Sequence, residues 1–227
     1  MFFINKENKK SRSFIKTERL EKMRKEEIDS QKWFDKQAPI YDEKETIDYS
    51  KNPKISCKDV KKLLKNRDYN TLLDVGCGTG YLFELINNNK SKYYGLDISE
   101  KMLEMAKKKN IPNTEYVKAT AEKLPYADGS MDIVTCIQSF HHYPYPDEAI
   151  REVYRVLKPD GIYILSDTGI GNPLAFIFNK IIYPRLHSGD CNIQNRKSIE
   201  KRMLDNNFTI ESSRQLTRMI YTVVGRK

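Results

Sequence analysis

The chain has 227 residues, 31% of them charged and 39% hydrophobic, with a formal net charge of +9. That length suits one α/β domain with a substantial core and is short for two. A mean hydropathy of -0.69, and no apolar run of the roughly 18 residues a spanning helix needs, exclude a membrane-spanning protein.

Residues 1–30 are polar, with Phe14, Ile15, Leu20, Met23 and Ile28 as the sizeable apolar anchors. A marginal helix or a partly disordered arm is expected there. The opening Met1-Phe2-Phe3-Ile4 is too short an apolar stretch for a signal peptide. Residues 1–36 hold 11 basic and 7 acidic side chains, interleaved like a solvated helix rather than a basic stripe. Of the 40 basic residues, 28 are lysine, whereas nucleic-acid recognition leans on arginine's planar fork, so a nucleic-acid partner is disfavoured. An aromatic cluster follows at Trp33-Phe34-Asp35-Lys36-Gln37-Ala38-Pro39-Ile40-Tyr41-Asp42. Trp33 is assigned to packing this helix onto the core.

Ser56 with Asp59 three residues on reads as a capping pair, and Cys57, Val60 and Leu64 follow at helical spacing. Then comes Leu72-Leu73-Asp74-Val75-Gly76-Cys77-Gly78-Thr79-Gly80. An apolar run that breaks into alternate glycines reads as a buried parallel strand ending in a tight turn. Glycine accepts positive φ and lets a ligand approach the backbone. Tyr81–Ile86 resumes with helical spacing, and a helix N-terminus is an anion site. Dinucleotide enzymes use G-x-G-x-x-G, but Tyr81 stands where the third glycine is needed.

What stands here is G-x-G-x-G with an acid two residues before the first glycine. In this it resembles the class I S-adenosylmethionine (SAM) dependent methyltransferases. Further segments carry the resemblance over about residues 33–227. Residues 34–42 resemble the "F-D-x-x-A-x-x-Y-D" entry segment of the group that includes ubiquinone and menaquinone biosynthesis enzymes. There it folds over the cofactor mouth, which implies Tyr41 near the methionine end of SAM. Lys118-Ala119-Thr120-Ala121-Glu122-Lys123-Leu124-Pro125-Tyr126 resembles the segment beside adenine. Thr120 replaces an aspartate frequent in relatives, which leaves Ala121 and Glu122 as the adenine candidates. "R-E-V-Y-R-V-L-K-P-D-G-I-Y-I-L" matches a structural segment of the family.

Tyr93–Asp97 is a strand ending in an acid, and Ser99 caps a helix with Met102, Leu103 and Ala106. Asp97 lies 17 residues past Gly80, close to where a nucleotide-binding fold sets an acid on the ribose hydroxyls, and Ile98 adjoins it. Strands are expected at 114–118, 131–137 and 162–166, a helix at 147–157, a helix at 198–206 capped by Ser198, and closing strands at 208–213 and 217–224. After the strand at 131–137, Gln138-Ser139-Phe140-His141-His142-Tyr143 lacks the [DNS]-P-P-[YFW] loop of methyltransferases acting on nucleobase amines and resembles the small-molecule branch. Histidine's unperturbed pKa suits a general base, so His141 and His142 are the catalytic candidates. Gly169, Gly171, Pro173, Pro184 and Gly189 punctuate an aromatic insert, expected to serve as a substrate lid over 167–205. Cys57, Cys77, Cys136 and Cys191 are scattered, with no C-x-x-C and no histidine at metal spacing, so cytoplasmic reduced thiols and no metal are expected.

The resemblance implies an α/β, Rossmann-like sheet of seven strands in the order 3-2-1-4-5-7-6, one strand antiparallel, with helices on both faces. Residues 1–50 would form a helical arm and cofactor cap, and 51–227 the SAM-binding domain. The expected cofactor set is Tyr41, Asp74, Gly76, Gly78, Asp97, Ile98, Ala121, Glu122 and Gln138. The expected reaction is methyl transfer to a small, hydrophobic acceptor, leaving S-adenosylhomocysteine. An RNA or protein methyltransferase, or a SAM-binding protein without transferase activity, are the alternatives.

Overall fold

The computed structural model describes residues 25–42 and 51–227; the expected arm at 1–24 and the junction at 43–50 lie outside these. Helix α1 covers residues 25–37 and runs into a 3₁₀ turn, Ala38–Ile40. The rest alternates strand and helix. Strands are β1 (Thr71–Val75), β2 (Lys92–Asp97), β3 (Thr114–Lys118), β4 (Met131–Ile137), β5 (Leu157–Thr168), β6 (Thr209–Gln215) and β7 (Ile220–Arg226). Helices are α2 (Lys51–Leu64), α3 (Tyr81–Ile86), α4 (Glu100–Lys108), α5 (Pro146–Val156), α6 (Asn172–Ile177), α7 (Tyr183–Leu186) and α8 (Arg196–Asp205). A π-turn, Phe178–Ile182, joins α6 to α7.

The seven strands form one sheet in the order β3-β2-β1-β4-β5-β7-β6, and β7 alone runs antiparallel to its neighbours. Buried parallel strands send alternate side chains to opposite faces, and both faces here are apolar. From β1 and β4, Leu73, Val75, Val134 and Cys136 pack with Ile150 and Val153 of α5 and with Ile199 and Met203 of α8. Leu72, Ile133 and Ile137 face the other way, onto Val60 of α2, Phe83 of α3 and Leu103 of α4. The parallel pairing of β2, β1 and β4 brings their C-terminal ends to one edge, between the two helical layers. Among the described residues, no helix is long and apolar enough to cross a membrane.

Three local expectations are corrected. Ser56 is a mid-helix residue of α2, because that helix begins by Lys51; Asp59 takes hydrogen bonds from Arg214 Nη2 (2.8 Å) and Thr222 Oγ1 (2.9 Å) instead of capping. Helix α8 starts earlier than Ser198. Its cap is Asn195, whose side chain accepts from Ser198 N at 3.0 Å. Strand β5 is longer than 162–166: Leu157 pairs with Met131 and Ile162 with Ile133, so Lys158–Gly161 is extruded as a loop within a continuous strand. Asp160 makes the bend with φ +62°.

Candidate functional site at the edge of β1, β2 and β4

The glycine loop leaves β1 with φ values of +76°, +53° and +74° at Gly76, Gly78 and Gly80. A Cβ at Gly76 would stand 1.9 Å from Ser139 Oγ, so the strand end has room for glycine alone. Ser139 is held there by Tyr143, whose hydroxyl lies 2.9 Å from Ser139 Oγ and donates to Val75 O at 3.1 Å. Gly78 differs: nothing lies within 4 Å of where its Cβ would be, and that side is open. The loop's own N–H groups are largely used within the protein. Gly76 N and Cys77 N donate to Leu96 O, Gly80 N to Cys77 O, and Gly78 N to Asp97 Oδ2 at 2.9 Å. The open side at Gly78 leaves room for a ligand, and the first turn of α3 carries no side-chain cap.

Asp97 is buried at the end of β2, its Oδ1 accepting from Ser99 N at 2.8 Å. A carboxylate has about four lone-pair sites, so capacity remains for further donors. Burial raises its pKa, the N–H groups of Ser99, Gly78 and Ile98 oppose the rise, and Asp35 adds to it. Asp74 is buried on β1 with Thr135 Oγ1 donating to it at 2.7 Å. Burial raises its pKa to about 7, against the Thr135 hydrogen bond and with the Asp97 charge. Glu122 is likewise pushed up to about 7, first by burial; N–H groups of the backbone oppose this, and Glu27 and Glu148 add to it. Its Oε1 is buried without a hydrogen-bond partner among the described residues. Gln138 has φ +50° and ties three elements together: its Nε2 donates to Ser56 Oγ at 3.0 Å and its Oε1 accepts from Thr168 Oγ1 at 2.6 Å.

A roof comes from residues 25–42. Phe34 meets Tyr41 edge-on at 6.4 Å and the His142 ring edge-on at 5.0 Å. Asp35 Oδ1 accepts from Ser99 Oγ at 2.6 Å, Asp42 Oδ1 accepts from Thr79 Oγ1 at 2.7 Å, and Lys109 pairs with Asp42 at 2.8 Å. Thus the roof is fastened to the start of α4 and to the glycine loop. Burial first, then the charges of Asp97, Cys57 and Asp42, push the Tyr41 phenol up to about 12, so it stays neutral. Trp33, expected to pack on the core, is 43% exposed; Phe34 turns inward in its place.

These groups enclose one crevice of about 950 Å³, mouth included. Tyr41, Asp74, Gly76, Gly78, Asp97, Ile98, Ala121, Glu122, Gln138 and His142 all line it. His141 does not. Its Nδ1 lies 2.6 Å from Asp167 Oδ1 and its N–H donates to Asp167 Oδ2 at 2.9 Å, so it stands behind the wall. Burial would lower its pKa, but Asp167 and then Asp190 outweigh that and raise it. Burial and the neighbouring His141 lower that of His142. None of residues 167–205 lines the crevice. The insert instead buttresses the roof, with Gly189 packed on Ser30 and His187 Nδ1 3.2 Å from Asp29 Oδ2. Sequence reasoning missed the bracing roles of Ser139 and Tyr143, which sit in a stretch read for substrate rather than for the loop.

Comparison with known proteins decides the lineage. The methyltransferase domain family matches residues 73–165. An uncharacterized protein of Methanocaldococcus jannaschii, MJ1252, is 30% identical over 181 residues, 80% of this chain and 68% of that one. The ubiquinone biosynthesis O-methyltransferase of Pseudomonas paraeruginosa is 35% identical over 112 residues, 48% of each protein. The chain thus spans about half the length of several curated relatives it matches. A solved complex of the Haloferax volcanii Trm112 methyltransferase activator with a methyltransferase shares the fold, with a TM-score of 0.72 and 17% identity over 87% of this chain and 96% of that one. The chain belongs to the class I SAM-dependent methyltransferases.

The crevice fits that family's cofactor. SAM carries an α-amino acid, a ribose and an adenine. The crevice holds groups of matching chemistry: an open face at Gly78, spare acceptor capacity on Asp97, and the unpartnered Glu122 Oε1, with Ala121 and Thr120 also lining it.

Proposed function

We propose that this chain transfers the methyl group of SAM to a small, largely apolar acceptor and releases S-adenosylhomocysteine. The observation that supports this is one crevice that joins the glycine loop, Asp97 and Glu122 to an enclosed aromatic mouth of Phe34, Tyr41 and His142. A mostly apolar crevice roofed by aromatic side chains suits a small ligand rather than a polymer strand.

When bound, SAM supplies a methyl group made electrophilic by its sulfonium, so the protein's contribution is placement. The first turn of α3 and the Gly76–Gly78 curve take the amino-acid carboxylate. Asp74, with Gln138 nearby, orients the loop and the amino group. Asp97 accepts from the ribose hydroxyls, flanked by Ile98. Ala121 and Glu122 take the adenine edge. Tyr41 closes the methionine end as a neutral phenol. The His142 ring forms the wall against which the acceptor is oriented, and His141, held by Asp167, packs behind that ring at 4.2 Å.

The test is calorimetric titration of the chain with SAM, S-adenosylhomocysteine and NADH, for wild type and Asp97→Ala. SAM and its product should bind, NADH should not, and the variant should lose about 100-fold or more, the worth of two charged hydrogen bonds. No SAM binding by folded wild type would overturn the cofactor assignment. Labelled SAM offered with small-molecule extract, RNA or protein then tests the acceptor: label entering the RNA or protein fraction would overturn the small-molecule reading.

A further inference from the structure

At the exit of β4, in and behind the crevice wall, His141, His142 and Asp190 each offer one ligand-type atom, and all three atoms lie within 4.8 Å of one another. Asp190 Oδ1 is 3.4 Å from His141 Nε2 and 3.7 Å from His142 Nδ1. Ligands about 2.0–2.2 Å from a tetrahedral zinc ion stand roughly 3.3–3.6 Å apart, so the His141 edge has that length and the His142 edge is slightly long, a gap that small side-chain rotations close.

Two further observations point to a ligand at this place. His142 Nδ1 is buried and has no hydrogen-bond partner among the described residues, a cost that native structures rarely carry without a reason. His141, for its part, is oriented from behind. Its Nδ1 faces Asp167 Oδ1 at 2.6 Å, which turns Nε2 toward Asp190. A carboxylate gripping the far nitrogen of an imidazole is the usual support for a metal-binding histidine, since it fixes the tautomer and raises ligand basicity. Among the described residues, no lysine or arginine is paired with Asp167 or Asp190, so an incoming ion would have to displace only the proton on His141 Nε2. Asp190 itself is steadied by Ser188, whose hydroxyl donates to its other oxygen.

We propose that His141 Nε2, His142 Nδ1 and Asp190 Oδ1 bind one divalent ion of the zinc class, with Asp167 as the supporting carboxylate. Two imidazoles and one carboxylate suit zinc and its borderline neighbours and do not suit magnesium, which prefers oxygen. Three protein ligands leave a fourth position for water. The ion would tie the 187–192 segment to the loop that carries His142 into the crevice. Metal binding is independent of SAM binding, so this site stands whether or not the methyl-transfer reading does.

The experiment is titration of Zn²⁺ into tag-free, chelator-stripped full chain by calorimetry, with bound metal counted by elemental analysis. One equivalent should bind, Mg²⁺ should not compete, and thermal unfolding should move up with Zn²⁺. Asp190→Asn and His142→Ala should each remove saturable binding. Asp167→Asn should weaken it about 10- to 100-fold, as loss of a supporting carboxylate does. Cys191→Ser controls for the half-buried thiol nearby and should bind as wild type does. No saturable Zn²⁺ uptake by wild type, or uptake unchanged in folded Asp190→Asn, would overturn the proposal. A circular dichroism spectrum unchanged from wild type certifies each variant as folded.

Discussion

The glycine loop at the end of β1 and the insert at residues 167–195 are both rich in turn residues, yet they are built in opposite ways. In the loop, Gly76, Gly78 and Gly80 all have positive φ, and two of them sit where a Cβ would strike a neighbouring side chain. In the insert, Gly171 has φ -58° and open space where its Cβ would be. The loop's neighbours Leu82 and Phe83 are buried, whereas in the insert Leu174, Phe176, Ile181 and Leu186 stand about half exposed or more. Close packing is concentrated where backbone must come near a ligand, and the insert touches that region chiefly through Gly189, Asp190 and the backbone of residues 191–192. Those backbone N–H groups donate to His141 O at 3.1 and 2.9 Å.

That contrast can be broken by matched substitutions. Gly76→Ala should abolish measurable SAM binding and lower the melting temperature, because a methyl forced onto Ser139 adds to a left-handed strain of about 1–2 kcal/mol. Gly171→Ala should leave both unchanged; an equal loss there would erase the distinction. Phe83→Ala should cost about 3–5 kcal/mol in chemical denaturation, as deletion of a fully buried aromatic does. Phe176→Ser, at a side chain in the insert that is 63% exposed, should stay within about 0.5 kcal/mol.

A pH series sharpens the same comparison within the β1 edge. Asp74 has its carboxyl pushed up to about 7 by burial, whereas in an unfolded chain it titrates near 3.9. Between these values the folded state holds the extra proton, so this group's contribution to stability falls as pH rises toward 7 and is flat above it. Asp74→Asn, which keeps the acceptor for Thr135, should therefore melt higher than wild type at pH 8, by about 2–4 °C for each kcal/mol relieved. The gap should narrow as pH drops toward 4. A gap independent of pH would mean that Asp74 is ionised throughout.

The smallest effect belongs to the roof. Asp35→Ala removes the acceptor for Ser99 Oγ at the start of α4. By the worth of one charged hydrogen bond discounted for exposure, SAM dissociation should quicken about 5- to 10-fold in stopped flow. An unchanged off-rate would mean that the roof does not cover the ligand.

Much of this was legible in the residues. Met131–Ile137 reads as a buried strand because its apolar run is short and turn-bounded, and the structure gives it those same ends. Asp97 could be singled out because a strand ending in an acid after a glycine loop has few other uses. The caps were harder. Asn195 and Ser198 are both good cap residues three positions apart, and only Asn195 has the extended backbone that leaves its side chain free to reach forward. The extrusion at Lys158–Gly161 looks like an ordinary turn, because nothing local reveals that Leu157 keeps pairing with β4. His187-Ser188-Gly189-Asp190 stands out in the sequence as a polar group, with a loop turn its expected role, but its meeting with the two histidines was not legible. His141 and His142 meet it across 48 residues, and no spacing rule spans an insert whose path depends on tertiary contacts.

The fastening of residues 25–42 to Ser99 and Thr79 has a kinetic meaning. Thr79 lines the crevice and Ser99 follows Asp97 and Ile98, which do, and the same segment supplies Phe34 and Tyr41 to its mouth. On the proposed function, release of those ties would widen the mouth through which a bound ligand exchanges with bulk solution. Dwell time in the pocket and affinity for the pocket then become separately adjustable. On the proposed function, substitutions at Asp35 or Asp42, which touch the roof and not the pocket floor, would change how long the spent product stays bound.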